Sequence, residues 1–317
     1  MTLFQFLVIM RWIYFAAVFV LFGAPLFWFY AGREVSSGSL LHVPRSLCAT
    51  LHLLRIAVPV VALSGIAWLV GILVNMTGGF SNAVDPETLH LFFFATQFGP
   101  VAILRLVLFV VIVVITILPM RHRAWFCALS IIAALLLVSQ AWLGHAAEGG
   151  AGVYGTVMII TYSLHLLAGA AWVGGLPPLL FALVELHQCD LDDTAARTLA
   201  ILSRYSLMAM IAVTIIVISG AANAGFRVAG AFDRLFWTGY GEVLVTKLIV
   251  VALMLGLAYF NRFVAMPRLR IAVLKGGAAS RQRAQIARLR TSIGVELVLG
   301  LLVLGIAAVL GITPPPQ

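Results

Sequence analysis

His165 opens the run His165-Leu-Leu-Ala-Gly-Ala-Ala-Trp172-Val-Gly-Gly-Leu-Pro177, which puts an ionisable imidazole inside a stretch long and apolar enough to cross a bilayer. Such a side chain in hydrocarbon costs several kcal/mol unless it has a partner, so its position marks a functional site. On a helix His165 and Trp172 lie two turns apart and share a face. Gly174 and Gly175, just beyond, let a neighbouring helix come close. Neutral imidazole is a ligand for copper, zinc or haem iron, so metal or cofactor binding is the chemistry these residues point to.

His145 is the natural second donor. It stands in Ser139-Gln140-Ala141-Trp142-Leu143-Gly144-His145-Ala146-Ala147-Glu148, at the end of the apolar run that precedes the one holding His165. A short glycine-rich segment joins the two runs, which predicts antiparallel neighbouring helices with both imidazoles toward one face of the membrane. Glu148 can take up a cation at the entrance. Met158, on the helix face of His165, offers the thioether that suits Cu(I). His90 follows Asp85 and Glu87, and that nitrogen and oxygen set suits Cu(II). Met76, Met208 and Met210 form no ladder, so a path made wholly of thioethers is not expected. His42, His52, His122 and His187 fall near basic segments, where ordinary exposure explains them.

The helices that must carry these residues follow from hydropathy. A span needs about 20 apolar residues, and on that rule eight fall at about 6–31, 56–76, 95–118, 124–143, 156–184, 205–224, 242–263 and 292–312. Lys and Arg sort the segments between them: Arg33, Arg45 and Arg55, then Arg121 and Arg123, then Arg197 and Arg204, then the run from Arg262 to Arg290 fall on one side, with only Arg227 and Arg234 on the other. By the positive-inside rule the first side is cytoplasmic, and both termini face outward. Aromatic residues near the span ends, among them Trp28, Trp125, Trp142 and Tyr240, agree with an interfacial belt. Met1 to Gln5 carry no charged side chain and the first run is span-length, so it reads as a retained helix rather than a cleaved signal. The stretch Arg281 to Arg290, with Ile286 and Leu289, reads as a topology anchor or as a basic amphipathic helix lying on anionic lipid.

Composition agrees with a membrane solvent. Of the 317 residues 63% are hydrophobic and 10% charged, with a mean hydropathy of +1.11, and no long polar segment stands apart as a soluble domain. The reading is all-α: a polytopic helix bundle of about eight transmembrane helices, in a single membrane domain over 1–317. The formal charge of +9 invites a nucleic-acid partner, but its distribution along alternate loops excludes one. Cys48, Cys127 and Cys189 all fall on the basic side without C-x-x-C spacing, so no structural disulfide is implied.

Three further charges lie within the spans: Arg11 in the first, Arg105 in the third and Lys247 in the seventh. Arg11 and Lys247 are near enough to an interface to snorkel outward; Arg105 is deeper. With His165 they fall in the outer half of the membrane, which predicts an outward-facing polar cavity.

Taken in order, these and other residues resemble the CopD family of bacterial copper-resistance membrane proteins. The carriers are Gly144-His145-Ala146-Ala147, His165 through Trp172-Val173-Gly174-Gly175-Leu176, Arg204-Tyr205-Ser206 leading to Ser219-Gly220 and Asn223, Tyr240-Gly241 with Leu244 and Lys247, Asn261-Arg262, and Glu296 before Pro314-Pro315. They are densest over 144–315. Thr96-Gln97-Phe98-Gly99 with Arg105, and Arg11 with Phe22-Gly23, look like a more degenerate N-terminal half. The resemblance implies an inner-membrane protein moving copper from periplasm to cytoplasm, with His145 and His165 as first candidates for metal contact. Any CopC-like periplasmic copper carrier would be a separate protein.

One feature resists that reading. Arg11, Arg105 and Lys247 would repel a copper ion by ordinary Coulomb interaction. The same set suits an anionic cofactor, a haem b with axial imidazole from His145 or His165 and propionates on Arg or Lys. The alternative function is therefore a haem-dependent membrane redox enzyme acting on a quinone or on copper. A third reading, a non-catalytic partner that docks a copper carrier, has only short outer segments to offer.

Overall fold

The computed structural model describes residues 1–36, 44–118, 122–143, 152–188, 191–228, 238–274 and 279–314. Its helices are α1 (Leu3–Ser36), α2 (Arg45–Thr77), the single turn α3 (Phe80–Ala83), α4 (Pro86–Ala95), α5 (Gly99–Ile117), α6 (His122–Val138) with a 3-10 turn over Ser139–Trp142, α7 (Val153–Gln188) and α8 (Leu191–Val228). Then come α9 (Gly239–Phe260), a π-helical turn (Asn261–Ala265), α10 (Met266–Leu274) and α11 (Ala279–Leu310). The described residues contain eight helices long and apolar enough to cross a membrane, with α9 and α10 joined through the π turn as one of them.

The spans alternate in direction, and side chains tie their ends. Glu185 near the end of α7 accepts from Arg45 N (2.8 Å), Ser46 N (3.0 Å) and Ser46 Oγ. It thereby satisfies free N–H groups at the start of α2, where Pro44 supplies no cap. Arg204 of α8 donates to Tyr30 O of α1 (2.9 Å) at the same end, which also carries Arg55, Arg123 and Arg262 and is called the basic end below. At the opposite end Trp12 Nε1 of α1 donates to Leu301 O of α11 (2.9 Å), and Tyr154 of α7 meets Phe226 of α8 edge to face. The described N- and C-terminal helix ends both lie there.

α1 is the centre, in contact with α2, α6, α7, α8 and α11, and its Tyr14, Leu21 and Phe27 are wholly enclosed. Hydrophobic burial does not drive helices together when lipid is the competitor, so close packing must. The tightest approach is between α1 and α7. A Cβ on Gly174 would fall 1.9 Å from Phe19 O, and one on Gly23 would fall 2.3 Å from Ala170 O. α9 is peripheral, with only 6% of its most apolar stretch buried. Its exposed Leu248, Ile249 and Leu253 face lipid, where such a surface carries no penalty.

One expectation changes, and one of two open readings is decided. The third span was expected to start near 95, with His90 at its outer end, but the chain breaks at Thr96, which is extended (φ −103°, ψ 157°). Gly99 then packs so tightly against Phe93 O that a Cβ would clash at 2.0 Å. His90 therefore lies on the separate short helix α4. The basic stretch from Arg281 to Arg290 belongs to α11 itself rather than to a surface helix, because Ile286 and Leu289 turn into the core with 0% and 1% exposure.

Gly174→Leu is expected to destabilise the protein in detergent by at least about 1–3 kcal/mol, the cost of overpacking. Gly256→Ala in α9, with nothing within 4 Å of the added methyl, is expected to be neutral or mildly stabilising. Thermal unfolding of the two variants beside the parent checks both.

Candidate functional site

The face of α7 that carries His165 meets Ser219 and Gly220 of α8. Gly220 gives the ring room, since a Cβ there would come within 3.2 Å of the imidazole Cε1, a tight contact. His165 Nδ1 lies 3.1 Å from Ser219 Oγ, and the Ser219 hydroxyl donates to Ile215 O. A hydroxyl has one proton to give, so Ser219 Oγ receives the hydrogen bond from Nδ1–H. Ile216 O also lies within range of the ring, and with the proton on Nδ1 the lone pair of Nε2 is left free to bind. This is the arrangement found around metal-binding histidines, in which the second ring nitrogen is held by a hydrogen bond that sets tautomer and orientation. One turn nearer the end opposite the basic one, Thr161 Oγ1 donates to Asn223 Oδ1 (3.0 Å), a second polar tie between the same two helices. Met158 is buried on α7 beyond Thr161.

Cations surround this layer. Lys247 of α9 lies within Coulombic range of His165, and Arg11 and Arg227 lie within range of Lys247. Arg11 was expected to snorkel, yet it is 8% exposed. Its guanidinium sits over Phe15 (5.5 Å) and Trp68 (5.4 Å), packs against Gly311 just past the end of α11 and interacts with Tyr162. Among the described residues none of these three cations has an acidic partner.

Arg105 is placed differently. It is wholly buried, and its Nη1 donates to Ser139 Oγ (3.1 Å), Gln140 Oε1 (3.1 Å) and, at 3.4 Å, Leu136 O. The guanidinium lies over Tyr14 (4.9 Å), Trp68 (5.5 Å) and Phe109 (5.9 Å). It thus joins α5 to the end of α6 and its 3-10 turn through neutral acceptors and aromatic faces, and meets Arg11 only across Trp68. His90 is exposed on α4 and lies against Phe94 at 5.1 Å. Asp85 serves α4 as its N-cap, accepting from Thr88 N (3.0 Å) and Thr88 Oγ1 (3.1 Å), which holds its carboxyl below the usual aspartate value. His145 and Glu148 lie outside the described residues, and among those described no group of three or more His, Cys, Asp or Glu converges on one point.

Toward the basic end a second polar layer forms around Glu296 of α11. Trp172 Nε1 donates to Glu296 Oε1 (2.8 Å) and Asn261 Nδ2 to Glu296 Oε2 (3.1 Å). Ser292 Oγ donates to Asn261 Oδ1 (2.6 Å), and Tyr205 OH to Trp172 O (2.8 Å). Tyr205, Asn261 and Glu296 were visible in the sequence only as motif members without roles, Trp172 only as sharing the face of His165, and Ser292 not at all. The pairing of Ser219 with His165 had no signal, because nothing in sequence spacing tells which turn of α8 faces His165.

The N-terminal part of the chain, residues 1–156, matches the family model described as "Copper resistance protein D-like, N-terminal domain", and residues 199–310 match "Copper resistance protein D". The Copper resistance protein D of Pseudomonas syringae pv. tomato is 30% identical over 96% of this chain and 95% of its own length. The chain belongs to the copper resistance protein D family. Two further relatives share part of it. The Copper transport protein CutJ of Bacillus subtilis is 34% identical over 59% of this chain and 34% of its own length. The Inner membrane protein YebZ of Escherichia coli is 30% identical over 55% of this chain and 57% of its own. No solved structure matches the chain. Within the family motifs, Arg204-Tyr205-Ser206 and Asn261-Arg262 come together at the second layer, where Arg262 Nη1 donates to Ser206 Oγ.

Arg105→Ala is expected to cost about 3–5 kcal/mol, the price of breaking a buried polar network. Arg105→Lys should recover only part of it: the three oxygens all meet the single nitrogen Nη1, but an ammonium lacks the planar face that lies over Tyr14, Trp68 and Phe109. Unfolding measurements in detergent check this; a fully stable Arg105→Ala protein would mean that the residue is not a packing element.

Proposed function

We propose that this protein carries copper across the bacterial inner membrane, from periplasm to cytoplasm, through a site that opens opposite the basic end and has His165 as its first ligand. The observation that carries the reading is the His165–Ser219 pair, which presents a bare Nε2 inside the membrane. The family and the names of its relatives supply copper as the cargo, and the Arg-rich loops orient the basic end toward the cytoplasm with both termini outside. Met158, toward the outer end of the same helix, His145 and Glu148 in the segment joining α6 to α7, and His90 on α4 are the further donors at the entrance. A separate CopC-like periplasmic carrier is the partner that delivers the ion. His165 Nε2 takes the ion from the entrance donors, and Ser219 keeps the ring aimed.

A second reading has one observation behind it. Lys247 stands within range of His165, and Arg11 and Arg227 within range of Lys247, without acidic partners among the described residues, which favours a bound anion such as the propionates of a haem b. An absorption spectrum separates the two readings: copper carriage expects bound copper without a Soret band, and a stoichiometric haem lost in His165→Ala would establish the redox alternative.

His165→Ala is expected to abolish copper binding at this site. Ser219→Ala should weaken it about 10–100-fold, the usual effect of removing an orienting partner. Equilibrium copper titration of the purified variants measures both, and wild-type affinity in His165→Ala would remove that residue from the site. For orientation, Cys48 and Cys127 are exposed and lie toward the basic end. A membrane-impermeant maleimide is expected to label them only after the membrane is opened; labelling in intact spheroplasts would invert the topology.

A further inference from the structure

Among the described residues Glu296 is the only acidic side chain that is buried, at 3% exposure. Both carboxylate oxygens are held by neutral N–H donors, from Trp172 and Asn261, and no Lys or Arg forms an ion pair with it. Arg262 is the nearest cation along the chain, but it donates to Ser206 and lies over Phe263 at 5.6 Å. The other titratable groups facing this point are Tyr205 of α8 and, beyond it, Tyr30 of α1. On α7 the next one is His165, two turns away, about 10 Å at 1.5 Å per residue. Arg268 and Arg270 of α10 are exposed, and Arg11 of α1 lies at the far end.

Asn261 reaches Glu296 from the first residue of the π turn. A π turn breaks the α-helical register and recurs at functional sites. Here it turns Asn261 inward between the lipid-facing α9 and α10. Asn261, Glu296, Tyr205, Ser206 and Arg262 together line a cleft of about 530 Å³ between α8, the π turn and α11.

A carboxylate in hydrocarbon without a counter-charge demands a cation. A metal ion would need several converging donors. Among the described residues no group of three or more His, Cys, Asp or Glu converges on Glu296. A proton needs one carboxylate oxygen and nothing more. We infer that Glu296 is a proton-binding site in the inner half of the membrane, loaded and emptied as copper passes, so that copper and proton movements are coupled. The step is acid–base only. One Glu296 oxygen takes a proton from water entering the cleft and later returns it to water, and no electrons move. The coupling rests on the copper reading above, whereas the protonation of Glu296 does not.

Infrared difference spectra between acid and alkaline buffer, taken on the purified protein in lipid, test the protonation. A protonated-carboxyl band is expected in the parent, absent in Glu296→Gln and restored at a shifted position in Glu296→Asp. Its absence from the parent overturns the proposal. Liposomes enclosing a pH-sensitive dye test the coupling. Copper addition should evoke proton movement with the parent, and Glu296→Gln should lose it while binding as much copper as the parent. Unchanged proton movement in Glu296→Gln overturns the coupling, and a loss of bound copper in that variant would make Glu296 a copper ligand instead. If the parent takes up no copper at all, the transport reading fails, and the infrared band still decides the role of Glu296.

Discussion

A polar group in the interior of a bilayer has no water to fall back on, and the arrangement of this protein follows from where such groups find partners. Backbone groups are satisfied within the helices. The few polar side chains then decide how the helices sit. Arg105 takes three oxygens from the end of α6 and its 3-10 turn and rests on three aromatic faces, and that fixes α5 against its neighbours more firmly than apolar contact alone. Glu185 does the same at the basic end, where it closes the open start of α2 from a different helix.

The same constraint separates structural polar groups from functional ones. Arg105 meets three oxygens through Nη1, leaves Nε and Nη2 without oxygen partners against the faces of Tyr14, Trp68 and Phe109, and is sealed from both lipid and water. His165 is half met: one nitrogen is held by Ser219 and the other is left open. Glu296 is met at both oxygens but not neutralised. The groups at His165 and Glu296 lie on or against one face of α7, seven residues apart in its register at His165 and Trp172, so one helix links the polar layer around His165 to the one nearer the basic end. The contact of Gly23 and Gly174 that seats α7 on α1 lies beside the second layer. Packing precision and site geometry therefore depend on the same small residues.

Much of this was legible in the residues. Eight apolar runs, broken by basic segments, specified an all-α membrane bundle, because hydropathy over a span-length window is a one-dimensional property. The unusual position of His165 was equally plain, since an ionisable residue in hydrocarbon stands out whatever surrounds it. The helix bounds were less so: α2 begins at Arg45 and α11 at Ala279, well outside the apolar cores, because helices in this bundle continue past the hydrocarbon into basic segments that still pack.

What only the tertiary structure decided is pairing. In sequence Arg11, Arg105 and Lys247 differed only in depth, each a cation in an apolar run. Yet Arg105 is a buried joint, Arg11 lies sealed over Trp68, and Lys247 stands within range of His165. Ser219, Asn261 and Glu296 acquired roles only when α8, the π turn and α11 were set against α7. Hydropathy and charge along the chain determined which segments cross the membrane and which histidine is anomalous; the rotation of each helix about its own axis, which depends on contacts among residues distant in sequence, determined what that histidine and Glu296 touch.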